Sequence, residues 1–219
     1  MISSTTLGKR TDTHLHFKVE VFQKTGPFKP RGAINKLHHL TEEERKRRVI
    51  TLSAGNLAQG LAYAASLLGN SATVVMSYTT PPNKVNAAKG YGAEVVLTEG
   101  DLLATCLEVQ KKHNLTFIHP FDDPHMVAGH GTIELEILED LPEVDVVFVP
   151  VGGGGLISGI ATAIKLKKSV VKIVRVEPVG ASAMWQSLQQ RTVVHLDGTD
   201  TVADGLVAPF VGKLNLASV

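Results

Sequence analysis

Two spacings of apolar residues alternate along this chain. Short apolar runs at Val49–Leu52, Ala72–Met76, Ala93–Leu97, Thr116–His119, Val144–Pro150 and Val171–Glu177 have the length and β-branched content of buried strands. Between them lie longer stretches with apolar residues three or four apart, which predict helices over Asn56–Leu68, Pro82–Lys89, Leu102–His113, Met126–Glu139, Leu156–Lys167 and Ala181–Gln189. Upstream, His14–Val21 alternates with period two and predicts a half-buried strand. A helix is expected from Pro30 or Arg31 to about Leu40, and Thr41–Glu44 is a capping-box start for another short one. Residues 1–13 read as short polar material, and no clear strand follows Gly198.

Strands alternating with helices of ten or so residues imply parallel pairing. The expected fold is therefore α/β, with two open parallel twisted sheets flanked by helices. The four strands between Val49 and His119 are self-contained, so residues 48–121 are expected to form a small inserted α/β subdomain. Residues 1–47 and 122–219 would then make a discontinuous large domain, whose sheet looks truncated. No internal repeat or linker is evident.

Composition narrows the function classes. The 219 residues are 43% hydrophobic and 20% charged, with 22 basic against 21 acidic side chains and a formal charge of +1. This balance carries no basic stripe for nucleic acid and no bias toward a membrane surface, so the expected partner is a small molecule. The single cysteine, Cys106, is expected to be core, and without a partner it forms no internal disulfide. With no cleavable leader or bilayer-length apolar run, the cytoplasm is the expected compartment.

Three motifs carry chemistry. Lys29 lies in Lys24-Thr-Gly-Pro-Phe-Lys-Pro-Arg-Gly-Ala33, between a predicted strand and a predicted helix. A lysine sequestered there has a lowered pKa and enough free amine to attack an aldehyde; the plainer alternative is a snorkelling surface lysine. Gly152-Gly-Gly-Gly155 joins a strand to a helix, where converging N–H groups and the helix dipole make a phosphate cradle; a plain tight turn is the alternative. It has neither a Gly-Lys-Thr ending nor a Gly-x-Gly-x-x-Gly spacing, so it fits the common nucleotide loops poorly. Ser53-Ala54-Gly55-Asn56 also joins a strand to a helix and either receives a carboxylate or merely caps the first turn.

Together, Lys24–Ala33, Ser53-Ala-Gly-Asn-Leu-Ala-Gln-Gly60 and Gly152-Gly-Gly-Gly-Leu156 resemble pyridoxal-phosphate enzymes of the tryptophan-synthase-β fold, specifically the threonine/serine dehydratases and related serine racemases. His119-Pro-Phe-Asp-Asp-Pro124, Gly129-His-Gly-Thr132, Val176-Glu-Pro178 and Ala203-Asp-Gly205 extend the resemblance over most of the chain. It implies pyridoxal 5'-phosphate as cofactor, with Lys29 forming the Schiff base and moving the α-proton. It further implies the phosphate on Gly152, Gly153, Gly154 and Gly155, the ring hydroxyl on Asn56, and Phe28 and Gly205 flanking the ring. The substrate carboxylate would meet Ser53, Ala54, Gly55, Asn56 and Leu57. The activity so implied is deamination of L-threonine, and of L-serine, by β-elimination. A racemase, another β-eliminating lyase and a catalytically silent cofactor-binding module are the alternatives. Ala54, where the racemases carry serine, favours elimination.

The resemblance has departures. Leu57 stands where these enzymes usually have histidine, and Pro27 replaces a serine before Phe-Lys. Of the family's cation site, Glu177 and the Ala181 carbonyl match but Ala183 replaces a carboxylate, so the site is incomplete and metal dependence stays open, with Glu177 and Ala181 as its remaining candidates. The family carries further segments at both ends; a chain shortened there would expose apolar surface, and a homo-oligomer, a dimer, is expected to cover it. His119, His125 and His130 with Asp122 and Asp123 match no metal-ligand spacing, Trp185 is expected to pack in the last helix, and Glu42–Arg48 is expected to be a solvated face.

Overall fold

The computed structural model describes residues 1–53 and 55–219. Four strands, β3 (Val49–Leu52), β4 (Ala72–Ser77), β5 (Glu94–Thr98) and β6 (Thr116–Phe117), form a wholly parallel sheet in the order β5-β4-β3-β6. Its centre is apolar on both faces, as a parallel sheet must be, with Val49, Ile50, Val74, Val75 and Met76 fully buried. Helix α4 (Asn56–Leu67) and α5 (Pro82–Gly90) cover one face, together with Ala33 and Leu37 of α2 (Lys29–His38). Helix α6 (Leu102–His113) covers the other through Cys106, capped by Asp101, whose carboxylate accepts from the Ala104 amide at 2.7 Å.

The second sheet is the parallel pair β7 (Val146–Pro150) and β8 (Lys172–Val176). Its core is built from α7 (Pro124–Asp140), α8 (Gly155–Lys167) and α9 (Ala183–Gln190) through Ile133, Ile137, Ile157, Ile160, Ile164 and Met184. On the opposite face Phe148 and Val176 are exposed. The backbones of α2, α7 and α8 approach closely because glycines stand at the crossings. A Cβ on Gly129 would overlap Arg31, and one on Gly131 would stand 3.0 Å from the Gly159 carbonyl.

Three expectations are corrected. The alternation at His14–Val21 does not become a half-buried strand. Only His16–Phe17 (β2) pairs, antiparallel with Ile2–Ser3 (β1), and Glu20–Phe22 forms a short 3-10 helix. Glu20 turns inward to the Arg31 guanidinium while Val21 and Phe22 face out, so charge pairing overrides the apolar alternation. Residues 1–13 are not featureless: Ser4 caps α1 (Thr5–Thr11), its hydroxyl accepting from the Leu7 amide. Trp185, expected to pack, is 60% exposed, because α9 buries Met184 and Ser187 on its inner side instead.

The remaining boundaries lie close to those expected. Helix α3 (Glu42–Lys46) begins with the capping box, Thr41 and Glu44 bonding each other reciprocally, and buries no residue. The tail after Gly198 holds a short 3-10 helix, Asp204–Leu206, and α10 (Lys213–Ala217), whose first amides are received by the Asp122 carboxylate.

Candidate active site

Lys29 opens α2, with Pro30 in the first turn, where its missing N–H costs no hydrogen bond. The lysine therefore leaves a helix N-terminus rather than a strand end. Its seat depends on Gly60 of α4: a Cβ there would stand 2.9 Å from the Lys29 Cβ and 3.1 Å from its carbonyl carbon. The Lys29 Nζ donates to the Pro120 carbonyl at 3.3 Å and lies 5.2 Å from the centre of the Phe28 ring. Among the described residues no carboxylate pairs with it. Burial without a counter-charge pushes its amine from 10.5 down to about 8.

Pro120 leads directly to the glycine turn. The next residue, Phe121, lays its ring against Gly153 so closely that any side chain there would overlap it, and its carbonyl lies 3.0 Å from where a Gly155 Cβ would be. Gly154 has φ +91, a left-handed backbone that favours glycine, and precedes the first residue of α8. Behind the turn sits Asn215 of α10, fully buried, donating to the Gly153 carbonyl at 2.8 Å and to the Phe121 carbonyl at 3.0 Å. Among the described residues the amides of Gly152, Gly153, Gly154 and Gly155 donate to no protein acceptor. Four free N–H groups at the start of a thirteen-residue helix can together receive an anion.

Asn56 begins α4 at the carboxyl end of β3, its side chain exposed. Its Nδ2 lies 3.7 Å from where a Gly205 Cβ would be, so Gly205 stands beside it, and Leu206 lies alongside Gly152. The Ser53 hydroxyl accepts from the Gly55 amide at 3.2 Å, the arrangement of a local cap. Leu57 is buried in the core of the four-stranded sheet. Ala54, and with it the reading that favours elimination, lies outside the described residues.

Phe28 and Lys29, through Pro120 and Phe121, and Asn56 and Gly205, through Leu206, thus stand about the glycine turn, which marks the candidate cleft; Glu177 is engaged elsewhere. Both Glu177 carboxylate oxygens receive α9 amides, from Met184 and Trp185 at 2.8 Å each. No cluster of metal-ligating groups occurs among the described residues. The histidines go separate ways: His119 Nδ1 accepts from the Asp122 amide at 2.9 Å, His125 stacks on His39, and His130 is buried.

Sequence reasoning assigned no role at this cleft to Pro120, Phe121, His130 or Asn215. The first two lie in the quoted His119–Pro124 motif; nothing local marks Asn215. His130 stands edge-on to Phe28 with centroids 4.9 Å apart, and burial, then the nearby Lys29 charge, pushes its imidazole down to about 3. One helical turn on, Glu134 is fully buried with both oxygens unpartnered, and burial pushes its carboxyl up to about 7.

A family model described as pyridoxal-phosphate dependent enzyme matches residues 1–219. The chain belongs to the pyridoxal-phosphate dependent enzyme family. It is 46% identical over 220 residues to an L-threonine ammonia-lyase of Thermotoga maritima, covering 99% of this chain and 55% of that protein. Among solved structures it is similar to the processed threonine deaminase isoform 2 of Solanum lycopersicum, with TM-score 0.95, 41% identity, and coverage of 100% of this chain and 61% of that one. Maize serine racemase also superposes with TM-score 0.95, at 38% identity, over 99% of this chain and 67% of that one. This member of the family spans little more than half the length of the Thermotoga protein. Its residues fit the cofactor: a part-buried amine of lowered pKa and a row of free glycine amides suit an aldehyde that carries a phosphate.

Proposed function

We propose that this chain deaminates L-threonine, and L-serine, by β-elimination, converting threonine to 2-oxobutyrate and ammonia. The observation that carries the reading is the Lys29 amine, desolvated and free of any carboxylate, at the same cleft as the unsatisfied amides of Gly152–Gly155. The relatives named threonine ammonia-lyase and threonine deaminase support the choice of substrate.

Lys29 would hold the cofactor aldehyde, and the glycine turn its phosphate. Asn56 would meet the ring hydroxyl, and Phe28 and Gly205 would flank the ring. When bound, pyridoxal phosphate supplies an electron sink for the pair left at the α-carbon. Lys29 then serves as the base that receives the α-proton at Nζ, a task suited to an amine near neutral pKa. Ser53 and the start of α4 orient the substrate carboxylate, where the positive helix end favours an anion. Phe121, against the turn, helps to keep water from the glycine amides.

We further propose the division into a small unit of residues 48–121 and a large unit of residues 1–47 and 122–219, a cytoplasmic location and a homodimer. No described helix is long and apolar enough to cross a membrane. Exposed Ile2, Phe17, Val21 and Phe22 supply apolar surface of the kind a second copy covers. Mixing the chain with pyridoxal phosphate and L-threonine and measuring 2-oxobutyrate tests the activity. Release of D-serine from L-serine without keto acid would favour a racemase, and colour without either product would favour a silent binder.

A further inference from the structure

The stretch from Thr201 to Ala208, which carries Gly205, is almost untethered. Its backbone bonds are local: Asp204 to the Val202 carbonyl, Leu206 to Ala203 and Ala208 to Leu206, while Ala203 donates to the Thr201 hydroxyl. Val202 is fully exposed. Among the described residues, the one hydrogen bond from this stretch to another element runs from the Lys84 Nζ on α5 to the Asp204 carboxylate, at 2.8 Å. It is also the one ion pair, among the described residues, between residues 48–121 and residues 122–219.

Three successive residues of this short 3-10 helix meet three different elements of the chain. Asp204 takes Lys84 of α5, Gly205 faces Asn56 at the start of α4, and Leu206 lies against Gly152 of the glycine turn. Holding Asp204 therefore fixes where Gly205 stands relative to Asn56, and where Leu206 stands relative to the turn. The Lys84 bond also holds the Asp204 carboxyl below the usual range, as an ion pair made in the folded chain should.

We propose that Lys84 is a positioning residue for the active site: through Asp204 it clasps the Gly205 turn over Asn56 and the glycine turn, closing the cleft around the cofactor. This rests on the function proposed above. The Lys84 side chain is 33% exposed and that of Asp204 77%, so the clasp is weak and screened by salt, and its effects are correspondingly graded.

The test is a double-mutant cycle with Lys84→Asp, Asp204→Lys and the exchanged pair, read in two ways. Without cofactor, urea unfolding reports whether the two side chains couple in the folded chain. With cofactor, absorbance titration gives the dissociation constant for pyridoxal phosphate in low and in high salt. We expect each single variant to weaken cofactor binding about 2- to 5-fold. The exchanged pair should recover most of this, and high salt should erase the difference. Coupling absent from the cofactor-free cycle, or singles that bind pyridoxal phosphate as the parent chain does, would overturn the clasp. Coupling in the cofactor-free cycle in a chain that never binds pyridoxal phosphate would instead overturn the proposed function, and with it the role of the clasp there.

Discussion

Gly60 and Lys29 meet at a distance that leaves no room for a side chain, since a Cβ on Gly60 would stand 2.9 Å from the Lys29 Cβ and 3.2 Å from the Pro30 nitrogen. The obstructing atoms include backbone, so they cannot swing aside as the end of a long side chain would. Gly60→Ala is expected to cost roughly 1–3 kcal/mol of stability and to displace the lysine. Cofactor uptake should fall at least tenfold; an unchanged dissociation constant for pyridoxal phosphate would show that the lysine is not seated by this contact.

The Lys29 amine sets a pH signature. Below about pH 8 it is mostly protonated and cannot attack an aldehyde; above it the free amine dominates. The rate of cofactor capture should therefore climb about tenfold per pH unit below that value and level off above it, rather than climbing on toward the pKa of an ordinary lysine. Stopped-flow absorbance gives the profile directly. Lys29→Ala should leave the chain colourless and yield no 2-oxobutyrate.

Glu134 makes the chain less stable as pH rises. The folded carboxyl keeps its proton to about pH 7, whereas an unfolded one releases it near 4.5. Between these values the folded state binds more protons, so stability falls with pH through this window and the penalty is complete above it. Glu134→Gln should match the parent chain near pH 4 and exceed it at pH 8, by at most roughly 3 kcal/mol. Urea unfolding at both pH values checks this, and an equal gain at both would assign the effect to packing instead of charge.

Arg31 is held by two carboxylates at once. Its guanidinium donates to Glu20 at 2.8 and 2.9 Å and to Glu136 at 2.6 and 2.8 Å. Hydrogen bonds from Arg31, then from Lys18, hold the Glu136 carboxyl at about 2. An ammonium cannot make both forks, so Arg31→Lys should cost roughly 1–3 kcal/mol. Thermal unfolding in low and in high salt reads this, and a loss that survives high salt marks the hydrogen-bond geometry rather than long-range charge.

Much of this architecture was legible in the chain itself. Strand–helix alternation, the capping box at Thr41 and the helix after Gly155 follow from local spacing and backbone chemistry. Lys29 and Gly152–Gly155 were legible as candidates for the same reason, since a lysine before Pro-Arg-Gly and four consecutive glycines are local signals. That resolution failed at His14–Val21, where the bond from Arg31, eleven residues beyond Glu20, decided the outcome. It failed again at Trp185, where the partner of α9 decided which side faces inward.

What the amino-acid order determined was therefore the kind of each element and the reactive groups it carries, because periodicity and turn chemistry act within a few residues. Folding decided the rest. The Pro120 carbonyl is brought 91 residues back to Lys29, Asn215 is set 62 residues behind Gly153, and Asp204 reaches Lys84 across 120 residues. These contacts arise when buried faces pack and unpaired polar groups find partners, and that is a property of the assembled chain in three dimensions.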